Sequence, residues 1–111
     1  RQVGDLQDVE LRDRAKLAHS GIVVAFLVMD RDRGDVVSGP DLLQRGFMGE
    51  PEIDEYIDDA TDYARAAVNE LSNNARKELT EVREALRTSI RRFFRKKINR
   101  KPVVIPVVHE L

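Results

Sequence analysis

The strongest candidate for binding chemistry is a cationic stretch near the end of the sequence. Residues 87–101 contain eight Lys or Arg and no acidic residue, and Phe93 and Phe94 stand side by side among them. Cationic side chains bind phosphate oxygens and aromatic rings stack on bases, so this composition is typical of a nucleic-acid surface. The candidate contacts with RNA or with a partner are Arg91, Arg92, Arg95, Lys96, Arg100 and Lys101.

The same stretch also fits the exposed side of an amphipathic helix. On a helical wheel Arg91, Arg92 and Arg95 fall opposite the apolar positions, so we expect them to face solvent while Phe93 and Phe94 face the core. The favoured interpretation is a solvated helix face, and direct RNA contact is the alternative. A helix lying on a membrane fits less well, because the core needs both phenylalanines. The apolar positions are Leu79, Val82, Leu86, Ile90, Phe93 and Phe94.

An acidic block complements the basic one. Residues 50–62 contain seven acidic residues and no basic one. The acidic block lies at the start of one predicted helix, and the basic block lies at the end of the next. Each block has the sign that the helix dipole favours at that end, which stabilises the helix by about 0.3–1 kcal/mol per charge. In an antiparallel helix pair the two ends are neighbours. We therefore expect the two blocks to cancel in part.

Sequence patterns of an active site are missing. The two histidines, His19 and His109, form no H-x-H or H-E-x-x-H motif, and there is no cysteine. Neither Ser20 nor Ser38 lies in a G-x-S-x-G motif. The stretch DRDRGD at 30–35 lacks the alternate oxygen ligands and the final Glu of a calcium loop. We expect no catalytic residue, cofactor or metal ion in this chain.

Length and charge predict one small domain. The chain has 111 residues, 41% of them apolar, and a net charge of −1. Attraction to RNA or a membrane must therefore come from local patches. The longest apolar run, Ile22–Met29, is too short for a bilayer, which needs about 20 residues. The lack of cysteine and of a signal peptide favours the cytoplasm, and Arg1 in place of an initiator Met indicates a fragment of a longer protein.

Three strands are predicted after an N-terminal arm. Residues 1–20 are expected to form a linker arm and a short helix that stops at Gly21. The continuously apolar stretch 22–30 indicates a central strand. A second strand follows a turn and is interrupted at Gly39–Pro40 by a bulge or an edge. The last strand, VVIPVV, is expected to place Pro106 at an unpaired edge.

Two helices are predicted between the second and third strands. The first begins near Pro51 and the second ends before Pro102. A continuous helix over 53–98 would be about 69 Å long, too long for a domain with a radius of gyration of about 13 Å. We therefore place a break within 73–80. The first helix is apolar at Ile53, Ile57, Ala60, Ala64, Ala67 and Leu71, and helix breaks or caps are available at Ser72, Asn73, Asn74 and Thr80.

These elements predict an α+β fold of order β-β-α-α-β over residues 21–111. The hairpin makes strands 1 and 2 antiparallel, strand 3 is parallel to strand 1, and strand 1 lies in the middle of a three-stranded mixed sheet. The two antiparallel helices cover one sheet face, because each has a single apolar stripe. The other face of strand 1, with Ile22, Val24 and Phe26, is then left for a partner subunit.

Several stretches together resemble one family. Residues 11–17, LRDRAKL, precede Gly21-Ile22-Val23, a hydrophobic strand and an Asp30–Gly34 turn. Residues 38–47 read SGPDLLQRGF, and 100–106 read RKPVVIP. These strings resemble the start and the end of the C-terminal domain of ribonuclease J enzymes. Ile98 stands where that family usually has Thr, and Thr80 stands where it often has a Ser that caps the second helix.

The resemblance carries implications for fold and function. Ribonuclease J proteins are bacterial cytoplasmic ribonucleases with 5′-to-3′ exonuclease and endonuclease activities. Their metallo-β-lactamase domain holds two zinc ions, and a β-CASP domain helps to bind RNA. The resemblance implies that this chain is the non-catalytic C-terminal domain, a three-stranded sheet with two helices. Its partners would be its own catalytic core and other subunits of a homo-oligomer, with RNA bound through the parent enzyme and no membrane. A stand-alone small α+β RNA-binding module is the alternative.

Overall fold

The chain folds around a central strand. The computed structural model describes residues 20–111, and in it β1 (Ile22–Asp30) lies between β2 (Asp35–Arg45) and β3 (Val103–Glu110). β2 is antiparallel to β1 and β3 is parallel to it. The predicted strand order and directions are confirmed. The predicted arm and short helix lie, apart from Ser20, outside the described residues.

A tight turn fixes the β1–β2 hairpin. The Asp30 carboxylate accepts hydrogen bonds from the backbone N–H groups of Asp32 and Arg33, at 3.0 and 3.1 Å. The N–H of Gly34 donates to the Asp30 carbonyl at 2.8 Å. This is the local capping that Asp favours at turns, and it reverses the chain directly into an antiparallel partner.

The two outer strands accommodate their prolines differently: the ladder is interrupted in β2 and regular in β3. The β1–β2 register shifts between Phe26 and Met29, next to the cis Gly39–Pro40 peptide, which confirms the predicted bulge. In β3, Pro106 lies opposite Ala25. Among the described residues β3 pairs with β1 alone, so Pro106 lies in an edge strand as predicted.

Two long helices cover one face of the sheet. α1 (Ile53–Asn69) and α3 (Leu79–Ile98) are separated by a one-turn helix, α2 (Asn73–Arg76). α1 approaches closely because buried Ala60 and Ala64 keep its inner face thin, and Val68 is buried where Ala67 was expected. The α+β fold of order β-β-α-α-β is confirmed. The β1 and α3 members of the core are Val23, Ala25, Leu27, Met29, Val82, Leu86, Ile90, Phe93 and Phe94.

The connection between the two long helices runs over residues 70–78, so it begins before the predicted interval of 73–80 and only partly overlaps it. Ser72 caps α2, since its hydroxyl accepts a hydrogen bond from the N–H of Ala75 at 3.1 Å. Thr80, one of the four residues considered as a break or cap, does not cap the second long helix. Glu78, which follows the α2 turn, has an extended backbone, and α3 begins at Leu79. Thr80 is therefore already inside the helix, and it is exposed.

Hydrogen bonds from α2 link the connection between the long helices to the β1–β2 turn. The Arg76 guanidinium donates to the carbonyls of Gly34 at 2.7 Å, Leu71 at 2.7 Å and Asn69 at 3.1 Å. The side-chain amide of Asn73 donates to the Arg33 carbonyl at 2.8 Å. One planar cation thus binds a carbonyl of the β1–β2 turn and two carbonyls at or just after the end of α1, a geometry that a lysine amine cannot match.

We expect Arg76→Lys to lower the free energy of unfolding by about 2 kcal/mol, because charged hydrogen bonds to carbonyls are lost while the charge is retained. Urea denaturation followed by circular dichroism measures this loss. Lys77→Arg is the control, since Lys77 is exposed and adjacent. Equal stabilities of the Arg76→Lys variant and the parent chain would contradict the clamp.

Gly21 and Phe47 join the two ends of the β1–β2 hairpin to α3. Gly21 has φ of +85°, and a Cβ there would lie 2.5 Å from the Phe47 ring. The Phe47 ring is buried and lies 5.1 Å from the Phe94 ring, between centroids. Only a residue without a side chain permits both the backbone conformation and this contact.

Gly21→Ala should therefore lower the free energy of unfolding by about 2–5 kcal/mol, through left-handed strain and overpacking on Phe47. Gly49→Ala is the matched control: its φ is +79°, but its nearest neighbour is an Arg100 nitrogen at 3.8 Å. That variant should lose only the conformational part, about 1–2 kcal/mol. Equal losses in the two variants would show that the contact with Phe47 contributes nothing.

Candidate assembly and nucleic-acid surfaces

The exposed side of α3 carries a basic groove. Arg87, Arg91 and Arg95 follow one another at intervals of four residues, about 6 Å of helix rise. With Arg92 of the same helix and Lys101, which follows it, they line a groove of about 360 Å³. The predicted exposure of Arg91, Arg92 and Arg95 is confirmed. The groove is also lined by Glu84 and Thr88.

The groove is strongly positive because five cations face one carboxylate. Glu84 is already engaged, since it pairs with Arg87 one turn later and accepts a hydrogen bond from the Thr88 hydroxyl at 3.3 Å. No ion pair joins Arg91, Arg95 or Lys101 to another residue of the part of the chain that the structure describes. Their charges are therefore available to a phosphate or carboxylate ligand.

The six residues singled out in the sequence occupy three places. Arg91, Arg92, Arg95 and Lys101 line the groove, whereas Lys96 faces a separate cleft. Arg100 is half-buried; its guanidinium donates to the Met48 carbonyl and lies 3.5 Å from a Glu50 carboxylate oxygen. Sequence reasoning missed Arg87 as a groove residue. Its position four residues before Arg91 was the available signal.

The acidic and basic blocks meet at one point of the described structure. The Arg100–Glu50 pair links the end of α3 to the segment before α1. A left-handed Asn99, with φ of 54°, ends α3 and turns the chain so that Arg100 reaches that segment. Farther along α1, Asp62 pairs with Arg65 of its own helix at 3.0 Å. The groove on α3 thus keeps its positive charge.

An aromatic cleft lies beside the basic groove. Tyr63 of α1 is 39% exposed, and its ring centroid lies 6.0 Å from that of Phe93. Together with Lys96 and Lys97 these rings line a cleft of about 390 Å³. Phe93 is buried as predicted, so the exposed aromatic face comes from Tyr63, which α1 contributes from thirty positions earlier in the chain.

The second face of the sheet is apolar and uncovered within the described residues. Alternation along β1 turns Ile22, Val24, Phe26 and Val28 away from the helices. One row across this face comprises Leu43, Val24 and Ile105, and the next comprises Asp41, Phe26 and Val107. We call the apolar residues of these two rows the open sheet face. Its exposed members are Phe26 (44%), Leu43 (48%), Ile105 (45%) and Val107 (41%).

Two opposite charges lie at the β2 border of the open sheet face. Arg45 and Asp41 are both exposed, are two positions to either side of Leu43, and pair with Ile22 and Phe26 of β1. Alternation places both on the same face as Leu43. Clustered exposed apolar side chains with a polar border are typical of protein interaction sites.

The side chains of residues 20–111 that could ligate a metal ion are dispersed over the structure. No three His, Cys, Asp or Glu side chains of this part lie close enough together to hold a metal ion, so it offers no ligand set for the zinc ions that the resemblance implies. His109 and Ser38 are exposed on strands, and His19 lies outside the described residues. Within the same range, every helix is too short or too polar to cross a lipid bilayer.

A helix-covered sheet with one apolar open face and a basic outer helix defines a small α+β domain with two candidate binding surfaces. The sequence model of the ribonuclease J C-terminal domain matches residues 9–111. The chain belongs to this family, and the match covers the described fold from its first strand to its last.

Curated relatives of this chain are named ribonuclease J2 or J 2. The chain is 33% identical over 109 residues to ribonuclease J2 of Bacillus subtilis (strain 168), and 32% identical to ribonuclease J 2 of Staphylococcus epidermidis. It is 29% identical to ribonuclease J 2 of Staphylococcus aureus. Each match covers 98% of this chain and 20% of the relative. The chain therefore spans about one fifth of the length of the curated relatives it matches.

Proposed function

We propose that this chain is the non-catalytic C-terminal domain of a ribonuclease J-like enzyme and that it holds subunits of that enzyme together. The parent would be a cytoplasmic, zinc-dependent 5′-to-3′ exoribonuclease and endoribonuclease in RNA processing and decay, with its zinc ions bound outside these residues. The observation that carries the assembly role is the open sheet face, since half-exposed Phe26, Leu43, Ile105 and Val107 favour burial against another protein.

A second copy of the chain fits this face because its charges are self-complementary. A two-fold axis that crosses β2 at Leu43, parallel to the sheet plane and perpendicular to the strands, would place Arg45 of one copy against Asp41 of the other. The same axis would bring the row of Leu43, Val24 and Ile105 against its own copy. Apolar contact at the centre and two ion pairs at the border are the usual layout of a specific interface.

A dimer or larger oligomer is expected in sedimentation velocity of the full chain at tens of micromolar. Leu43→Glu should weaken association at least tenfold, because two carboxylates would meet at the two-fold axis. Met48→Glu is the matched control: Met48 is 62% exposed but lies after β2, outside the open sheet face.

A charge exchange tests the orientation of the two copies. Asp41→Arg and Arg45→Asp should each weaken association, and the double variant should restore it, since opposite charges would again face each other across the axis. A chain that sediments as a monomer at high micromolar concentration would contradict self-association. A double variant as weak as either single variant would contradict this axis.

The second candidate function is RNA binding by the basic groove. The observation that favours it is the excess of positive charge in the groove. Its lining contains one carboxylate, Glu84, which is already paired, and five cations: Arg87, Arg91, Arg92, Arg95 and Lys101. A chain of net charge −1 has no general attraction for RNA, so binding would depend on this groove. Such binding would assist a catalytic core rather than replace it.

Fluorescence anisotropy with a labelled single-stranded RNA tests this role. Arg91→Glu with Arg95→Glu should lower the affinity at least tenfold at low salt. The slope of log affinity against log salt should also fall by about 1.4, two phosphate contacts at about 0.7 each. Arg31→Glu with Arg33→Glu is the control of equal charge change, located in the β1–β2 turn. Equal losses in the two double variants would contradict a specific groove.

A further inference from the structure

Tyr63 is the exposed end of a row of aromatic contacts that starts in the core. The Phe47 and Phe94 centroids are 5.1 Å apart, those of Phe94 and Phe93 are 5.3 Å apart, and those of Phe93 and Tyr63 are 6.0 Å apart. The first three rings are buried, whereas Tyr63 is 39% exposed. Because Phe93 supports the Tyr63 ring, the exposed ring is held in place rather than free in solvent.

A second cleft beside Tyr63 shares two of its lining residues with the basic groove. This cleft of about 260 Å³ lies between the two long helices and is lined by Tyr63, Ala66 and Ala67 of α1, by Glu70 directly after α1, and by Ala85, Thr88, Ser89 and Arg92 of α3. Thr88 and Arg92 also line the basic groove. The arginine row of α3 and the Tyr63 ring of α1 are therefore separated by about the width of one helix. Arg92 lines both the basic groove and the cleft between the helices.

Charge decides which part of a nucleic acid can lie on each side. α1 and its C-terminal end carry exposed acidic residues that repel phosphates: Glu55, Asp58, Asp59 and Asp62 precede Tyr63 in the helix, and Glu70 lines a cleft together with Tyr63. On the α3 side Lys96 and Lys97 adjoin the ring and Arg91 and Arg95 lie beyond it. A phosphodiester backbone is thus confined to α3, and a base attached to it would extend towards Tyr63.

We propose that Tyr63 stacks against one base of single-stranded RNA whose phosphates lie along the groove of Arg87, Arg91 and Arg95. This inference rests on the RNA-binding role proposed above. A duplex keeps its bases stacked on one another and unavailable to a side chain, so the ligand must present an unpaired base. Stacking on an exposed ring also tolerates any base, because every base has a π-face.

Binding by variants at Tyr63 tests the stack against the phosphate groove. Tyr63→Leu keeps apolar cover over Phe93 but removes the aromatic face, and Tyr63→Phe keeps the face. For a single-stranded oligonucleotide we expect Tyr63→Leu to lower affinity about five- to a hundredfold and Tyr63→Phe to change it less than twofold. For an abasic oligonucleotide of equal length, both variants should bind as the parent chain does.

Tyrosine fluorescence gives a second readout, because the chain contains two tyrosines and no tryptophan. In Tyr56→Phe the remaining emission comes from Tyr63, and stacking should quench it when oligonucleotide is added. In Tyr63→Phe the emission comes from the half-buried Tyr56, which packs against the core, and it should not change. Quenching of both variants, or of neither, would overturn the stack.

The remaining outcomes separate this inference from the proposed RNA binding. If Tyr63→Leu binds the oligonucleotide as tightly as the parent chain, while reversal of Arg91 and Arg95 still weakens binding, the stack is refuted and the groove stands. Equal or tighter binding of a duplex would also refute the stack. If the parent chain binds no single-stranded RNA at low salt, both the groove and the stack are refuted.

Discussion

β1 forms hydrogen bonds along both of its edges and is apolar on both of its faces, and the remaining structure follows from these two facts. β2 and β3 occupy the edges. The helices bury Val23, Ala25 and Leu27 on one face, because each helix has one apolar stripe and both stripes face the same way. The opposite face, with Val24 and Phe26, is left without cover in the described residues. An apolar strand in the middle of a small sheet thus creates both the core and the surface on which we base the assembly role.

The two proposed binding surfaces lie on opposite sides of the molecule. The open sheet face is the outer side of the sheet layer, and the arginines of α3 are on the outer side of the helix layer. A second copy bound to the sheet would therefore leave the basic groove accessible. Phosphates bound to the groove would in turn not reach Asp41 or Arg45. Assembly and RNA contact are therefore compatible in one particle, as the proposed role beside a separate catalytic core requires.

One helical period gives α3 two functions. Ile90, Phe93 and Phe94 enter the core, while Arg91 and Arg95 stay in water at the opposite side of the same turns. The cationic sequence around the phenylalanines was therefore a weak indication of RNA binding by itself. The structure strengthens this indication in a different way: it brings Tyr63 of α1 next to Lys96, and it leaves Arg91, Arg95 and Lys101 without an ion pair among the described residues.

The sequence by itself determined the parts of this protein that depend on local patterns. The continuous apolar run identified β1 as the central strand. The alternate burial of its side chains follows from the pleat of a strand. The spacing of the apolar residues from Leu79 to Phe94 defined the buried side of α3. The sequence strings around Gly39–Pro40 and Pro102 were sufficient to recognise the family. Tertiary structure alone decided which distant residues meet. Arg76 reaches Gly34 across 42 positions, Arg100 reaches Met48 across 52, and Tyr63 meets Phe93 across thirty. No local period encodes such contacts, because they depend on the packing of α1, α2 and α3 on the sheet, and so the sites that they create became visible only in the folded chain.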